Sequence, residues 1–173
     1  NDDIYVTGNI GDSFVGQKTI KKNIKINFKL KKYFISKFYC PNLPYNIYKH
    51  MHKFANTSID ISDGLVSDMY KLINDQFLSF EINVNKIPIS KNLQVYIKKY
   101  NKVKNQFLFH GDDYQVLFTA SKKKRLLIKS LAKKLNQKIT IIGKINNGYK
   151  KNLIKFDNKP QNLTNFKGYS HTF

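Results

Sequence analysis

Patterns of apolar residues that are typical of strands and of helices alternate along the whole chain. β-Branched and aromatic residues between Asp3 and Thr7 predict a first strand. A glycine-rich turn follows, after which Asp12 or Ser13 can cap a helix that runs to about Lys21. Because strand and helix patterns are interleaved, the sequence predicts an α/β or α+β fold built on a mixed sheet.

The same alternation continues to the end of the chain. A strand is predicted over residues 58–61, and Ser62 can cap the helix that follows. Further strands are predicted from alternating apolar residues at Phe80, Ile82 and Val84; at Tyr114, Val116 and Phe118; and at 139–142. Further helices are predicted from helical spacing of apolar residues at Ile47, Met51, Phe54 and Ala55; at Leu65, Met69, Leu72 and Ile73; at 93–100; and at Leu127, Leu131 and Leu135.

Two segments are assigned on shorter patterns. Apolar residues alternate over 24–30, which predicts a strand, although residues 33–39 directly after it could be helical. Residues 153–156 are predicted to form a short hairpin partner. The first segment could also be a variable linker.

The composition fits one cytoplasmic domain. A chain of 173 residues can bury a core without disulfides or a structural metal. The single cysteine, Cys40, excludes an internal disulfide and favours a reducing compartment, and no signal-peptide pattern is found. No apolar run approaches the roughly 20 residues of a membrane-spanning helix, so a soluble protein is expected. Because the chain opens on Asn1 just before a strand, we expect the natural protein to extend upstream.

The net charge of +20 at pH 7 does not by itself predict nucleic-acid binding. Dense lysine attracts polyanions, but proteins that read nucleic acids also rely on the bidentate arginine fork, and Arg125 is the only arginine. The lysines are spread along the whole chain among Asn, Ile, Phe and Tyr, as in a proteome-wide compositional bias. Nucleic acid is therefore not an expected partner, although a noncatalytic basic module that binds a polyanion stays open as an alternative.

The rare acidic residues are grouped, and this grouping indicates a cation site. Only 11 residues are Asp or Glu, and Glu81 is the single glutamate. Aspartates that lie two or three together suit Mg²⁺ or Ca²⁺, which prefer oxygen ligands. For any one group, a role in helix caps and turns explains the aspartates equally well. The groups are Asp2, Asp3 and Asp12; Asp60, Asp63 and Asp68; and Asp112 and Asp113.

The central group gives the strongest signal. Asp60 and Asp63 flank Ser62 where a predicted strand becomes a helix, so free N–H groups of the helix start lie beside two carboxylates. This combination suits a magnesium-bound polyphosphate. An EF-hand is excluded, because Gly64 comes too early and Lys71 stands where a closing Glu is needed. The alternative is that these residues only cap the helix and shape the turn.

Three weaker motifs accompany it. His110 and Gly111 precede Asp112 and Asp113, and adjacent acids on a glycine turn can point to opposite sides, one to a ligand and one into backbone. The glycines of residues 8–16 match neither a Walker loop nor a dinucleotide fingerprint, and favour a tight strand-to-helix turn. The aromatic tail could tuck into the core or place Tyr169 against a planar ring.

Taken in order, these segments resemble the second half of bacterial thiamine-monophosphate kinases. The resemblance covers nearly the whole chain and weakens over 21–39 and 85–106. Each motif is modest, but five in the same order are specific. They are DDIYVTGNIGDSFVG, FANTSIDISDGLVSD, HGDDYQVLFT, IIGKI and KGYSHTF.

The resemblance implies roles for five positions. Asp60 and Asp63 match aspartates that bind magnesium, and Ser62 matches a serine that contacts ATP. Asp112 falls where the family has a glutamate that touches thiamine monophosphate, and Tyr169 falls on the aromatic residue that packs against that substrate. Asp112 is one methylene shorter than the family residue, about 1.5 Å of reach. In the family pattern, Gln115 would also be an acid, and Ser170 an aspartate.

The resemblance also implies a fold and a reaction. The expected fold is α+β, a mixed sheet layered with helices, as in the C-terminal domain of the aminoimidazole ribonucleotide synthetase superfamily. The whole chain, 1–173, would be one such domain, and the N-terminal ATP-binding domain would lie outside it. The expected activity is phosphorylation of thiamine monophosphate to thiamine diphosphate with ATP and Mg²⁺, in a homodimer when full length. The alternative hypothesis is that the chain belongs to another ATP-dependent synthetase or kinase of the superfamily.

Overall fold

A computed structural model describes most of the chain. The described residues are 1–74, 76–102, 104–148, 151–157 and 159–160.

Seven strands form one mixed sheet in the described residues, in the order β2-β4-β1-β5-β3-β6-β7. Neighbouring strands run antiparallel, except that β3 and β6 are parallel. The strands are β1 (Asp3–Thr7), β2 (Thr57–Asp60), β3 (Leu78–Asn83), β4 (Val116–Ala120), β5 (Ile139–Asn147), β6 (Leu153–Phe156) and β7 (Lys159–Pro160).

Six α-helices and four short 3-10 turns connect these strands in the described residues. The α-helices are α1 (Asp12–Ile20), α2 (Phe28–Tyr39), α3 (Tyr45–Tyr48), α4 (Leu65–Ile73), α5 (Lys91–Lys99) and α6 (Arg125–Lys134). The 3-10 turns are Met51–Lys53, Val84–Lys86, Lys104–Phe107 and Lys122–Lys124. The predicted α+β class with a mixed sheet is confirmed.

Both faces of the sheet are covered. In β1, Ile4 and Val6 pack with α4 residues such as Met69 on one face, because successive side chains of a strand point to opposite sides. Tyr5 belongs to the opposite face, where it stacks on Phe118 with ring centroids 4.9 Å apart. Helix α6 contributes to that second cluster, so helices lie on both sides of the central strands.

A third cluster joins helices that lie beside the sheet. It includes Val15 of α1, Leu30 and Phe34 of α2, and Leu93 and Tyr96 of α5. All five side chains are buried. This cluster fixes α1, and with it the loop that leads from β1 into α1.

The predicted strand over 24–30 is wrong. Residues 28–30 are the first turn of α2, because the Asn27 side chain accepts the Leu30 N–H at 2.9 Å and caps the helix. Leu30 and Phe34 are both buried at a helical spacing of four, whereas Phe28 is 82% exposed. The alternating pattern therefore ran across a helix cap.

Two other predictions need adjustment. The single helix predicted around Ile47 and Met51 is split into α3 and a 3-10 turn, because its backbone bonds run over three residues, as in His50 N–H to the Ile47 carbonyl at 2.9 Å. The segment Leu153–Phe156 is a strand, but it pairs in parallel with β3 as well as forming a hairpin with β7.

Candidate functional site

Two loops that carry the predicted site residues lie against each other. The β2–α4 loop (residues 61–64) and the loop before β4 (residues 110–115) exchange three backbone hydrogen bonds that continue the β2–β4 ladder. Ile61 N–H donates to Gln115 at 2.8 Å, Tyr114 N–H to Ile61 at 3.0 Å, and Asp112 N–H to Ser62 at 3.0 Å. The sequence placed the two motifs fifty residues apart, and the sheet joins them.

Two glycines allow this close approach. A Cβ at Gly111 would overlap the Ser62 carbonyl, and a Cβ at Gly64 would overlap the Phe109 carbonyl. Gly64 also has a φ of 122°, which side chains disfavour. Any other residue at either position would push the two loops apart.

The β2–α4 loop is held by Asp68 and not by the predicted cap. Helix α4 begins at Leu65, and its N-cap residue is Gly64, so the prediction that Ser62 caps the helix is wrong. The fully buried Asp68 carboxylate accepts the N–H groups of Ser62, Asp63 and Gly64 at 3.1, 3.0 and 3.1 Å. One side chain thereby satisfies three donors that a helix start leaves open.

Lys71, one turn further along α4, joins the same network. Its ammonium donates to Asp68 Oδ1 at 2.9 Å and forms an ion pair with Asp63 Oδ2. These two hydrogen bonds raise the pKa of Lys71, Asp63 being the larger cause. No role was predicted for Lys71 beyond excluding an EF-hand, although its spacing of three from Asp68 on a helix is a usual signal for an ion pair.

The predicted ligands have different neighbours. Burial raises the pKa of Asp112, and the negative charge of Asp63 raises it further, while Lys21 opposes the shift. Asp63 and Asp112 therefore lie close enough to repel each other. Asp60 is exposed at the end of β2, and its charge is a secondary cause, after burial, of the raised pKa of Tyr48.

The donor set fits a magnesium ion that is completed by other ligands. Asp60 and Asp63 offer hard carboxylate oxygens at the two ends of a four-residue segment. Among the described residues no group of three or more His, Cys, Asp or Glu could hold a metal. Mg²⁺ is commonly held by one or two carboxylates together with water and substrate phosphates, so two aspartates suffice.

Asp113 points away from Asp112, into the molecule. Its buried carboxylate accepts the N–H of Gly11 at 2.7 Å and of Ser13 at 3.4 Å, and so holds the start of α1. Burial raises the pKa of Asp113 to about 8. One of the two adjacent acids was predicted to bond the backbone of its own turn, and Asp113 bonds backbone N–H groups of the β1–α1 loop instead. The predicted cap by Asp12 or Ser13 is wrong, since α1 has Gly11 at its N-cap.

The turn that contains Asp112 and Tyr114 is strained. Asp112 and Tyr114 adopt positive φ angles of 67° and 50°, which are uncommon for residues other than glycine. Such outliers persist only where the surroundings impose them, and they are frequent at binding sites. Here the bonds to Ile61 and Ser62 impose them.

The side chains of Phe14 and His110 stack on each other near this turn. Their rings stack with centroids 3.6 Å apart and planes 7° from parallel. Burial lowers the pKa of His110, and the charge of Lys18 lowers it further, so both favour the neutral imidazole. Neither sequence pattern nor spacing indicated this pair.

A cavity of about 320 Å³ lies behind the β1–α1 loop. Asp12 lines it, with its carboxylate bonded to the hydroxyls of Tyr33 at 2.8 Å and Ser90 at 2.7 Å. Burial raises the pKa of Asp12. Lys37 and Lys138 also line this cavity, and their ammonium groups donate to Asn42 Oδ1 at 2.9 Å and to Asn9 Oδ1 at 2.7 Å.

Two predictions are outside what the structure tests. Tyr169 lies outside the described residues, as do the other tail residues after 160. The roles of Asp60, Ser62, Asp63 and Asp112 toward ligands also stay predictions.

As to membranes, the helices among the described residues are all too short or too polar to cross one.

Comparison with known proteins identifies relatives over nearly the whole chain. No family model matches. A thiamine-monophosphate kinase of Buchnera aphidicola subsp. Acyrthosiphon pisum is 38% identical over 169 residues, which is 97% of this chain and 52% of the relative. One of Aquifex aeolicus is 36% identical over 124 residues, which is 71% of this chain and 40% of the relative. The chain thus spans about half the length of the curated relatives it matches.

Solved structures agree with these relatives. The crystal structure of thiamine monophosphate kinase from Aquifex aeolicus has a TM-score of 0.74 at 30% identity, covering 92% of this chain and 51% of that one. AaThiL complexed with AMPPCP and TMP has a TM-score of 0.77 at 30% identity, covering 99% and 51%. The hydrogenase maturation protein HypE in complex with ATP, at 8% identity and a TM-score of 0.65, shares the fold alone. The predicted resemblance is confirmed.

Proposed function

We propose that the chain is the C-terminal domain of a thiamine-monophosphate kinase, because nearly its whole length is homologous to about half the length of such kinases. The proposed reaction is the ATP- and magnesium-dependent phosphorylation of thiamine monophosphate to thiamine diphosphate. One observation carries the proposal: the two acidic loops are bonded together, so that Asp63 and Asp112 interact beside a helix start.

The reaction transfers the γ-phosphoryl group of ATP directly. The bond from the γ-phosphorus to the bridging oxygen breaks, a bond to a phosphate oxygen of thiamine monophosphate forms, and ADP leaves. Such transfers need positioning and charge neutralisation more than covalent help from the protein. Magnesium, when bound, neutralises negative charge on the phosphates.

The chain's own residues would position the two substrates. Asp60 and Asp63 would hold the metal, and Ser62, between them, would donate its hydroxyl to a nucleotide phosphate. Asp112 and Tyr169 would hold thiamine monophosphate. Positive charge arriving beside Asp63 would relieve its repulsion of Asp112 and favour the ionised form of Asp112.

The remaining contacts would come from a partner domain. An N-terminal ATP-binding domain would supply further metal ligands and most of the grip on the nucleotide, and the complete enzyme would be a homodimer. The relatives are about twice as long as this chain, which leaves room for such a domain. The single cysteine, Cys40, agrees with a cytoplasmic enzyme.

Turnover of an Asp63→Asn enzyme tests the metal role. In the complete two-domain kinase, we expect this change to lower kcat about 100-fold or more, as loss of electrostatic stabilisation commonly does. Its stability should change by less than about 1 kcal/mol, because the ion pair that Asp63 forms within the described part of the chain is with the half-exposed Lys71. Asp157→Asn is the matched control, an identical exchange in the exposed β6–β7 turn. Unchanged turnover of Asp63→Asn would remove the metal role.

Activity of the separate chain tests the division of labour. We expect little or no kinase activity from these 173 residues alone, and recovery of activity when the N-terminal half is supplied separately. Formation of thiamine diphosphate from ATP and thiamine monophosphate is the measurement. Full activity of the isolated chain would refute this part of the proposal.

A further inference from the structure

We infer that Lys71 is a built-in counter-ion of Asp63 that a divalent cation must displace, so that this lysine sets the affinity of the metal site. The inference rests on the proposed function, since it concerns the same aspartate. It assigns to α4 a positioning residue for which neither the sequence motifs nor the comparisons give a role.

The lysine occupies one of the two carboxylate oxygens through which Asp63 could hold a metal. Its ammonium is paired with Asp63 Oδ2, and the same nitrogen lies 2.9 Å from Asp68 Oδ1. An oxygen in contact with an ammonium is a poorer ligand of Mg²⁺, because the two cations repel each other. Binding of the metal through this oxygen therefore competes with Lys71 and favours movement of Lys71 away from Asp63.

The two carboxylates that Lys71 contacts differ in burial, and this difference indicates which of them Lys71 can leave. Asp68 is completely buried and is fixed by the N–H groups of Ser62, Asp63 and Gly64. The Lys71 side chain is 49% exposed, and that of Asp63 is 21% exposed. Lys71 can release Asp63 by rotation of its flexible stem and keep its bond to Asp68.

The surrounding charges explain why a counter-ion is needed. Asp63 repels Asp112, and Asp68 places a third carboxylate in the same network. Lys21 acts on Asp112 from the end of α1. With Lys71 in place, the loop keeps its arrangement without metal. When a divalent cation binds, one positive group is exchanged for another.

Manganese binding to the 173-residue chain tests the inference. Free Mn²⁺ is counted by electron paramagnetic resonance in titrations of the wild type and of Lys71→Gln. We expect Lys71→Gln to bind Mn²⁺ roughly threefold to fivefold more tightly, the upper end of the range expected when one exposed ion pair is removed. Lys71→Met, which keeps the apolar stem, should behave in the same way and provides a second variant should Lys71→Gln fold poorly.

Two controls separate this role from general charge effects. Lys133→Gln removes the same charge from an exposed position on α6, and we expect its affinity for Mn²⁺ to stay within about twofold of the wild type. Lys71→Arg keeps the charge and should also stay near the wild type. A tightening of equal size in Lys133→Gln would overturn the inference.

The outcomes also distinguish this inference from the proposed function. Equal Mn²⁺ affinity of the wild type, Lys71→Gln and Lys71→Met, even with lower stability of the variants, overturns the displacement by Lys71 alone. Binding that persists undiminished in Asp63→Asn overturns the metal role of Asp63. Absence of Mn²⁺ binding in the wild type and in both Lys71 variants overturns the inference about Lys71, whereas the metal role of Asp63 is decided by the turnover of Asp63→Asn in the complete two-domain kinase.

Discussion

The aspartates around the two joined loops fall into two groups that differ in what they bond. Asp68 and Asp113 are buried, and each accepts backbone N–H groups of a loop that begins a helix. Asp63 and Asp112 are only partly buried, and each is affected by side-chain charges: Asp63 by an ammonium, Asp112 by Asp63. Asp60 is exposed. One residue type thus serves two purposes around the same two loops.

Their bonding partners determine which carboxylates are available to a ligand. A carboxylate whose oxygens satisfy buried backbone donors cannot leave them without a large cost. A carboxylate that faces solvent or a movable lysine can exchange its partner. The buried aspartates Asp68 and Asp113 therefore hold the loops in place. The partly buried or exposed aspartates Asp60, Asp63 and Asp112 remain available for a cation and a substrate.

Removal of Asp68 should have the largest effect. Asp68→Ala leaves three backbone N–H groups without their acceptor, and we expect a loss of about 4 kcal/mol in the free energy of unfolding. Asp60→Ala should change it by less than about 0.5 kcal/mol, because Asp60 is exposed. Urea unfolding followed by circular dichroism measures both. Similar losses in the two variants would break the division between the groups.

The sequence predicted much of this fold because its periodicities reflect burial. In β1 and β4 the residues Tyr5 and Phe118 face one side and Ile4 and Leu117 the other, as a spacing of two requires. Helix α4 was found because Leu65 and its neighbours at helical spacing are buried. The strand at 24–30 was mistaken because alternation over a few residues cannot be distinguished from the start of a helix.

The acceptors at the starts of α1 and α4 could not be predicted, because they are side chains other than the N-cap residue. Asp113 lies 100 residues from Ser13 and is brought to it only by the pairing of β1 with β4. Asp68 is near its loop in sequence, but nothing in the pattern shows that it turns back onto Ser62. The close contact of the two acidic loops was likewise a product of strand order, which local sequence does not determine.

After the effect of Asp68→Ala, the next largest change in the free energy of unfolding is expected from a change of pH. Asp113 has a pKa of about 8 when folded and about 4 when unfolded. Between these values the folded state holds a proton that the unfolded state has lost, so stability falls as the pH rises. We expect a loss of about 2 kcal/mol between pH 6 and pH 8. Asp12, whose pKa burial also raises, acts in the same direction.

Asp113→Asn should remove most of this slope. The amide oxygen of Asn can still accept the Gly11 N–H, so the loop contact is retained while the titrating group is lost. Urea unfolding of both proteins at several pH values between 6 and 8 gives the comparison. A slope that is the same in wild type and variant would mean that Asp113 is ionised in the folded state, and that it resembles the exposed group more than the buried one.

The smallest effect is expected at Glu81, which contacts lysines at the surface of the sheet. Lys155 lies 2.9 Å and Lys144 3.6 Å from its carboxylate, and the hydrogen bond from Lys155 is the main cause of its lowered pKa. We expect Glu81→Gln to cost less than about 0.5 kcal/mol at pH 7.

Because the folded pKa of Glu81 is depressed, the contribution of its pairing is present at neutral pH and is lost as the pH falls through that pKa. The wild type and Glu81→Gln should therefore become equally stable in acid, and also in 1 M salt, which screens surface pairs. A loss as large as that of Asp68→Ala would show that pairing with lysine can fix a carboxylate as firmly as backbone donors do. In that case Asp63, paired with Lys71, could no longer be regarded as free to exchange its partner.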